Sequence, residues 1–181
     1  MLPAQKAEKE RLIYSIGRFD HYFDSVNNKT AVYIAISTFI LAGNITAYFN
    51  ILKLFPELNC NKVCQLFLEI GLIFNAVLGL GTLCFLILAS IPFFSQNIDS
   101  LYYFGGIGAM DFKDFRKLSK NRNEKDDLKD LQLQVHTLSK GLNAKFIKLK
   151  FAGKLLFIQF ALILLLSLIL LIIKYLTYGN L

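Results

Sequence analysis

The stretch Leu155 to Ile173, LLFIQFALILLLSLILLII, holds only two polar residues, Gln159 and Ser167. As an α-helix rising 1.5 Å per residue it is about 28 Å long, close to the hydrocarbon thickness of a bilayer. Each central Leu, Ile or Phe favours insertion by about 0.3–0.6 kcal/mol, so two polar residues cannot reverse the preference of the whole run. A chain of 181 residues has no soluble core large enough to hide such a helix instead. Two further apolar runs precede it. Residues 31–55 carry one charge, Lys53, near the end, and residues 67–94 carry one, Glu69, near the start. Lys53 can reach the headgroups along its own alkyl stem.

The expected fold is therefore an all-α integral membrane protein with three transmembrane helices and a cytoplasmic helical region. The expected division is an N-terminal amphipathic helix in residues 1–30, a transmembrane hairpin in 31–94 (spans 31–55 and 67–94), a cytoplasmic helical region in 95–153, a third span in 154–176 and a short external tail in 177–181. The loop Pro56 to Leu66 joins the hairpin. Residues 1–30 lack the apolar core and small-residue cleavage site of a signal peptide, so the first span is expected to act as an uncleaved anchor.

Charge sets the expected orientation. Of the twenty Lys and Arg residues, eleven lie in 95–153 and five in 1–30. Both segments fall on one side of a two-span hairpin, and the excess of cations makes that side cytoplasmic. The C-terminus is then outside. The net charge of +7 does not imply nucleic-acid binding, because the basic residues of 113–150 are interleaved with Asp114, Glu124, Asp126, Asp127 and Asp130. Such a face suits solvent beside anionic lipid.

Outside the spans, Leu12, Ile16, Phe19, Phe23 and Val26 recur at helical spacing, as do Leu128, Leu131, Val135, Leu138, Leu142, Phe146 and Leu149. Each stripe needs a partner, and the simplest partner is the other stripe. Asn123 is the expected cap of the second helix, which nothing stops before the third span. Asp111 is the expected cap of a short helix reaching Ser119. Gly105, Gly106 and Gly108 lack the Lys-Ser/Thr ending of a phosphate loop and read as a flexible turn beside aromatic residues. The polar residues Asn44, Thr46 and Asn75 within the spans are expected to face protein, either hydrogen-bonding between helices or lining a water path. Gly43 with Ala47, and Gly71, Gly79 and Gly81, point to close helix packing and to self-association as a homo-oligomer. Cys60 and Cys64 either bridge or stand as separate thiols, and Cys84 packs within a span. His21 and His136 sit in no catalytic or metal-ligating spacing, and no nucleophile, base or carboxylate pair suggests an enzyme.

Three stretches carry a further likeness: NNKTAVYIAIS at 27–37, SLYYFGGIGAMDFKDF at 100–115 and DLKDLQLQVHTLSKGLNAKFIKLKFA at 127–152. In their order they resemble the Pycsar transmembrane effector family. Thr30 stands where that family usually has Ala, and Gly106 where other members often carry a polar residue. The resemblance implies an antiphage defence effector of the bacterial inner membrane, triggered by cyclic CMP or cyclic UMP and acting by an oligomeric pore or membrane disruption. A single negative charge and a flat base need a cation and an aromatic face. Lys29, Tyr103, Phe104, Gly105 and Lys145 are the residues expected to supply them at the cytoplasmic membrane surface. The rival expectation is a constitutive membrane scaffold that uses the 124–150 stripe to bind a partner helix and takes no small ligand.

Overall fold

The computed structural model describes residues 3–54, 62–92 and 100–178, and all regular structure among them is helical. The helices are α1 (Pro3–Leu54), α2 (Lys62–Ser90), α3 (Phe104–Ala109), α4 (Phe112–Asn121) and α5 (Glu124–Tyr178). Helices α1, α2 and α5 are each long and apolar enough to cross a membrane. The protein is an all-α membrane protein with three such helices, as its apolar runs require.

Proline placement explains much of this. None occurs between Pro3 and Pro56, so nothing interrupts the 52 residues of α1. Helix α2 stops at Ser90, two residues before Pro92, because the residue preceding a proline is driven out of the α region. That is earlier than the expected limit at Phe94, which itself lies outside the described residues. Helix α2 also begins earlier than expected: Lys62 to Leu66 are helical rather than loop. Cys60, and with it any bridge to Cys64, lies outside the described residues.

The connection between α2 and α5 differs most from expectation. Phe104–Ala109 is a helix, not a flexible turn, and no glycine among the described residues has positive φ. Its backbone closes through Ile107 N donating to Tyr103 O and Met110 N to Ile107 O. Asp111 does precede α4, with extended backbone, but its carboxylate makes no capping hydrogen bond; its carbonyl accepts from Phe115 N instead. Asn123 caps α5 as expected, its Oδ1 accepting from Asp126 N at 2.9 Å.

The chain divides into two compact units, Met1–Asn28 with Ile91–Phe146 and Lys29–Ser90 with Ile147–Leu181. In the first unit the two expected stripes do find each other. Val26, Leu131 and Leu142 are buried, and Lys9 to Asp127, Gln132 to Glu8 and Lys145 to Asn27 tie the first half of α1 to the first half of α5.

In the second unit Ile51, Leu68, Leu72 and Leu166 form a buried cluster joining α1, α2 and α5. Outward from it, Phe39, Ile70, Phe74, Val77, Phe157, Leu164 and Leu171 are exposed. An exposed apolar surface of this extent is suited to lipid. Two glycines permit close approach: a Cβ at Gly71 would lie 2.8 Å from Leu166 Cδ2, and one at Gly79 would lie 2.6 Å from Gln159 Nε2. Gly43 and Gly81 meet nothing within 4 Å. Lys148 donates to Leu88 O at 3.1 Å, satisfying a carbonyl in the last turn of α2.

Candidate functional site

Helix α5 carries a polar stripe within the first unit. Asp127, Asp130, Gln134 and Lys145 recur at helical spacing, and the last three are buried. The apolar reading of this helix overlooked them. Their spacing of three, four and eleven was visible, but buried charge is rare enough that apolar residues take precedence in assigning a core face.

This stripe holds the segment before α3. Asp130 Oδ2 accepts from Leu101 N at 2.9 Å and from Arg122 Nη2 at 2.6 Å. Its side chain is 2 % exposed and that of Arg122 13 %, so the ion pair is nearly withdrawn from water. One turn earlier, Asp127 Oδ2 accepts from Lys9 Nζ at 2.7 Å and from Tyr102 Oη at 2.9 Å. Ser100 Oγ, buried, accepts from Tyr102 N at 3.1 Å. Residues 100–102 are thus moored to α5 at two adjacent levels.

The mooring titrates. Burial alone raises the pKa of Asp127, but hydrogen bonds from Lys9 and Tyr102 outweigh it and hold the carboxyl below its ordinary value. The same contact raises Lys9, chiefly through the hydrogen bond to Asp127. Burial first, and the hydrogen bond to Asp127 second, raise Tyr102. A carboxylate with a depressed pKa contributes stability that is present above its unfolded value of about 4 and lost as pH falls through the folded value. Lys9 and Tyr102 contribute in the opposite sense, losing their share as pH rises through their raised values. The mooring is therefore firmest between about pH 5 and 9. Side chains at 33 % and 24 % exposure screen the Lys9–Asp127 pair, so Asp127→Asn is expected to cost about 1 kcal/mol or less at pH 7 and nothing measurable near pH 2. Thermal unfolding of both proteins across that range measures the difference.

Beyond the mooring stand the aromatic residues. Tyr103 is buried, whereas Phe104 is 73 % exposed, with the ring centroids 5.0 Å apart. A Cβ at Gly105 would lie 2.5 Å from the Tyr103 ring, so the glycine is what lets that ring lie over the start of α3. Tyr103, Phe104 and Gly105 therefore form one surface, offering an open ring on which a base can stack.

Of the two expected lysines, one belongs to this unit. Lys145 is buried, and its ammonium donates to Asn27 Oδ1 at 3.2 Å. Fifteen positions separate it from Asp130, about 22 Å along the axis of α5, so it sits at a different level from the mooring. Lys29 belongs to the second unit, where it is exposed. Lys9 and Arg122, the cations paired with Asp127 and Asp130 in the mooring, were not expected.

In the second unit Asn44 Nδ2 donates to Leu72 O at 3.0 Å and Asn75 Nδ2 to Gln159 O at 2.8 Å, both buried. Thr46 behaves differently from the expectation: it is exposed, and its hydroxyl returns to Ala42 O within its own helix. Among the described residues no group of three His, Cys, Asp or Glu side chains could hold a metal ion.

The family model described as Pycsar effector protein domain matches residues 11–173. The chain belongs to the Pycsar effector family. The match takes in α2, α3 and α4 whole and most of α1 and α5, including the buried amides and every residue of the mooring but Lys9. Membership makes the protein an antiphage defence effector, and its three apolar helices make it a membrane one. No curated protein and no solved structure matches the chain.

Proposed function

We propose that this Pycsar effector impairs the bacterial inner membrane when it binds a cyclic pyrimidine mononucleotide, cyclic CMP or cyclic UMP. The observation that carries the reading is the family match across 11–173, on a chain whose second unit is largely surfaced with apolar side chains. The aromatic surface at Tyr103, Phe104 and Gly105 is the proposed seat of the base, with Lys29 and Lys145 as candidate partners of the phosphate. A ligand preferring one arrangement of the protein shifts the population toward it by its differential affinity. The scaffold alternative loses support, because Leu131, Leu142 and Leu149 are already buried within the protein and unavailable to a partner helix.

Purified protein in proteoliposomes is expected to release an entrapped dye on addition of cyclic CMP or cyclic UMP, and to remain tight with cyclic AMP. Release by none of them overturns the trigger. Gln at Lys145 or Lys29 is expected to abolish the response while Gln at Lys120 leaves it intact.

The proposed orientation places residues 1–30 and 95–153 in the cytoplasm, supported by their sixteen Lys and Arg residues. A Cys introduced at Ser119 is expected to resist impermeant thiol reagents in intact spheroplasts and to react after lysis. Labelling before lysis refutes the orientation. Self-association belongs to the proposal because the hairpin offers glycines for close helix packing. Gly43, which meets nothing within 4 Å, is better placed for it than Gly79, which is occupied inside the protomer.

A further inference from the structure

The second unit contains polar atoms that its own fold leaves without partners. Ser37 and Gln159 are 0 % exposed, and among the described residues neither the serine hydroxyl nor either amide atom of Gln159 has a hydrogen-bond partner. The Oδ1 atoms of Asn44 and Asn75 are likewise unpartnered.

These atoms share one seam. Asn44 of α1 meets Leu72 of α2, and Leu41 of α1 meets the Cβ position of Gly79, so the two helices run antiparallel. The Gln159 carboxamide lies at the same Gly79 position, and the backbone carbonyl of Gln159 accepts from Asn75 Nδ2. Ser37 stands one turn before Leu41, and Asn44 three residues after it, which places all three on one face of α1. Buried Thr82 lies one turn beyond Gly79. From the level of Leu72 to that of Thr82 is about 15 Å, half the hydrocarbon thickness. Asn44 also lines a crevice of about 280 Å³ with Gly43, Ala47 and Leu166, so the seam adjoins open space.

Polar side chains are rare at membrane depth, and buried ones are ordinarily satisfied. A row of them across three helices, each with spare hydrogen-bonding capacity, has the chemistry of a surface that takes up water. We propose that Ser37, Asn44, Asn75 and Gln159 form the hydrated lining of the path through which this effector impairs the membrane. The inference rests on membrane impairment being its activity and adds where the water passes. In the triggered state water replaces the missing partners, whereas the resting state leaves them unmet. An apolar residue at position 159 then favours the resting state.

The test uses a variant with Cys60, Cys64 and Cys84 changed to Ser, in cells carrying a pyrimidine cyclase and infected with phage. Loss of membrane integrity and reaction with a charged methanethiosulfonate, whose sulfur a thiolate attacks with release of methanesulfinate where water ionises the thiol, are followed together. Ser37→Cys is expected to be labelled only once integrity is lost, and Phe157→Cys, on the 74 % exposed lipid face, to stay unlabelled. Gln159→Leu is expected to slow permeabilisation about tenfold, the change that about 1.4 kcal/mol of bias produces, with expression and insertion retained. If integrity is lost while Ser37→Cys stays unlabelled and Gln159→Leu acts at the normal rate, the path lies elsewhere and only the present proposal falls. If integrity is kept throughout infection while the cyclase is active, the membrane-impairment reading fails and the lining falls with it.

Discussion

Asp130→Ala is expected to destabilise the first unit by about 3 kcal/mol, the largest effect of any single charge removal in that unit. The carboxylate is 2 % exposed and accepts from both Leu101 N and Arg122 Nη2. Its loss strands a backbone N–H and leaves a guanidinium that is 13 % exposed without its closest counter-charge. The next carboxylate, Asp127, stands 4.0 Å from Arg122 Nε and already holds Lys9 and Tyr102. Thermal unfolding in mild detergent reads the loss directly. The companion double variant Arg122→Met with Asp130→Leu is expected to recover much of it, because two apolar side chains replace a pair whose desolvation offsets most of its attraction. A single variant as stable as the parent would show that the ion pair does not hold residues 100–102 to α5.

Gly79→Leu is expected to destabilise the second unit by about 2–3 kcal/mol, through overpacking. Its Cβ would lie 2.6 Å from Gln159 Nε2 and 3.2 Å from Leu41 Cδ1. The amide end of Gln159 can swing aside for a methyl group, but not for an isobutyl group hemmed in on two sides. Gly81→Leu, two residues away with nothing within 4 Å, is expected to change stability by less than about 0.5 kcal/mol. The pair separates packing inside the protomer from packing between protomers. If Gly81→Leu alone alters the oligomer, α2 presents that edge to a neighbouring copy.

The apolar helices were legible because length and hydropathy act over many residues, and no local detail at Gln159 or Ser167 could outweigh them. The pairing of the N-terminal stripe with α5 was legible for the same reason. Helix α3 was not. Three glycines in five residues lower helix propensity by about 1 kcal/mol each, and what overrides them is tertiary: Tyr103 buried over Gly105, with residues 100–102 held by Asp127 and Asp130. A mooring of that kind joins residues about 25 to 30 positions apart, beyond the reach of any periodicity. The candidate site was legible in its aromatic part, where neighbours in sequence remain neighbours in space. The cations of the mooring, Lys9 and Arg122, were not, because which lysine or arginine meets Asp127 or Asp130 is decided by tertiary packing rather than by helical spacing.

The contacts that close the first unit have a consequence for how the protein is made. Lys9 meets Asp127, Glu8 meets Gln132 and Asn27 meets Lys145, across 118, 124 and 118 residues. In the second unit Asn75 waits 84 residues for Gln159. Both units take their closing element from α5, which leaves the ribosome after α1 to α4. At about 5–20 residues per second the early helices spend several seconds without it, so neither unit can be completed on a nascent chain. A product interrupted anywhere before α5 therefore has no finished unit: the first can close only after translation has passed Lys145, and the second only after it has passed Gln159.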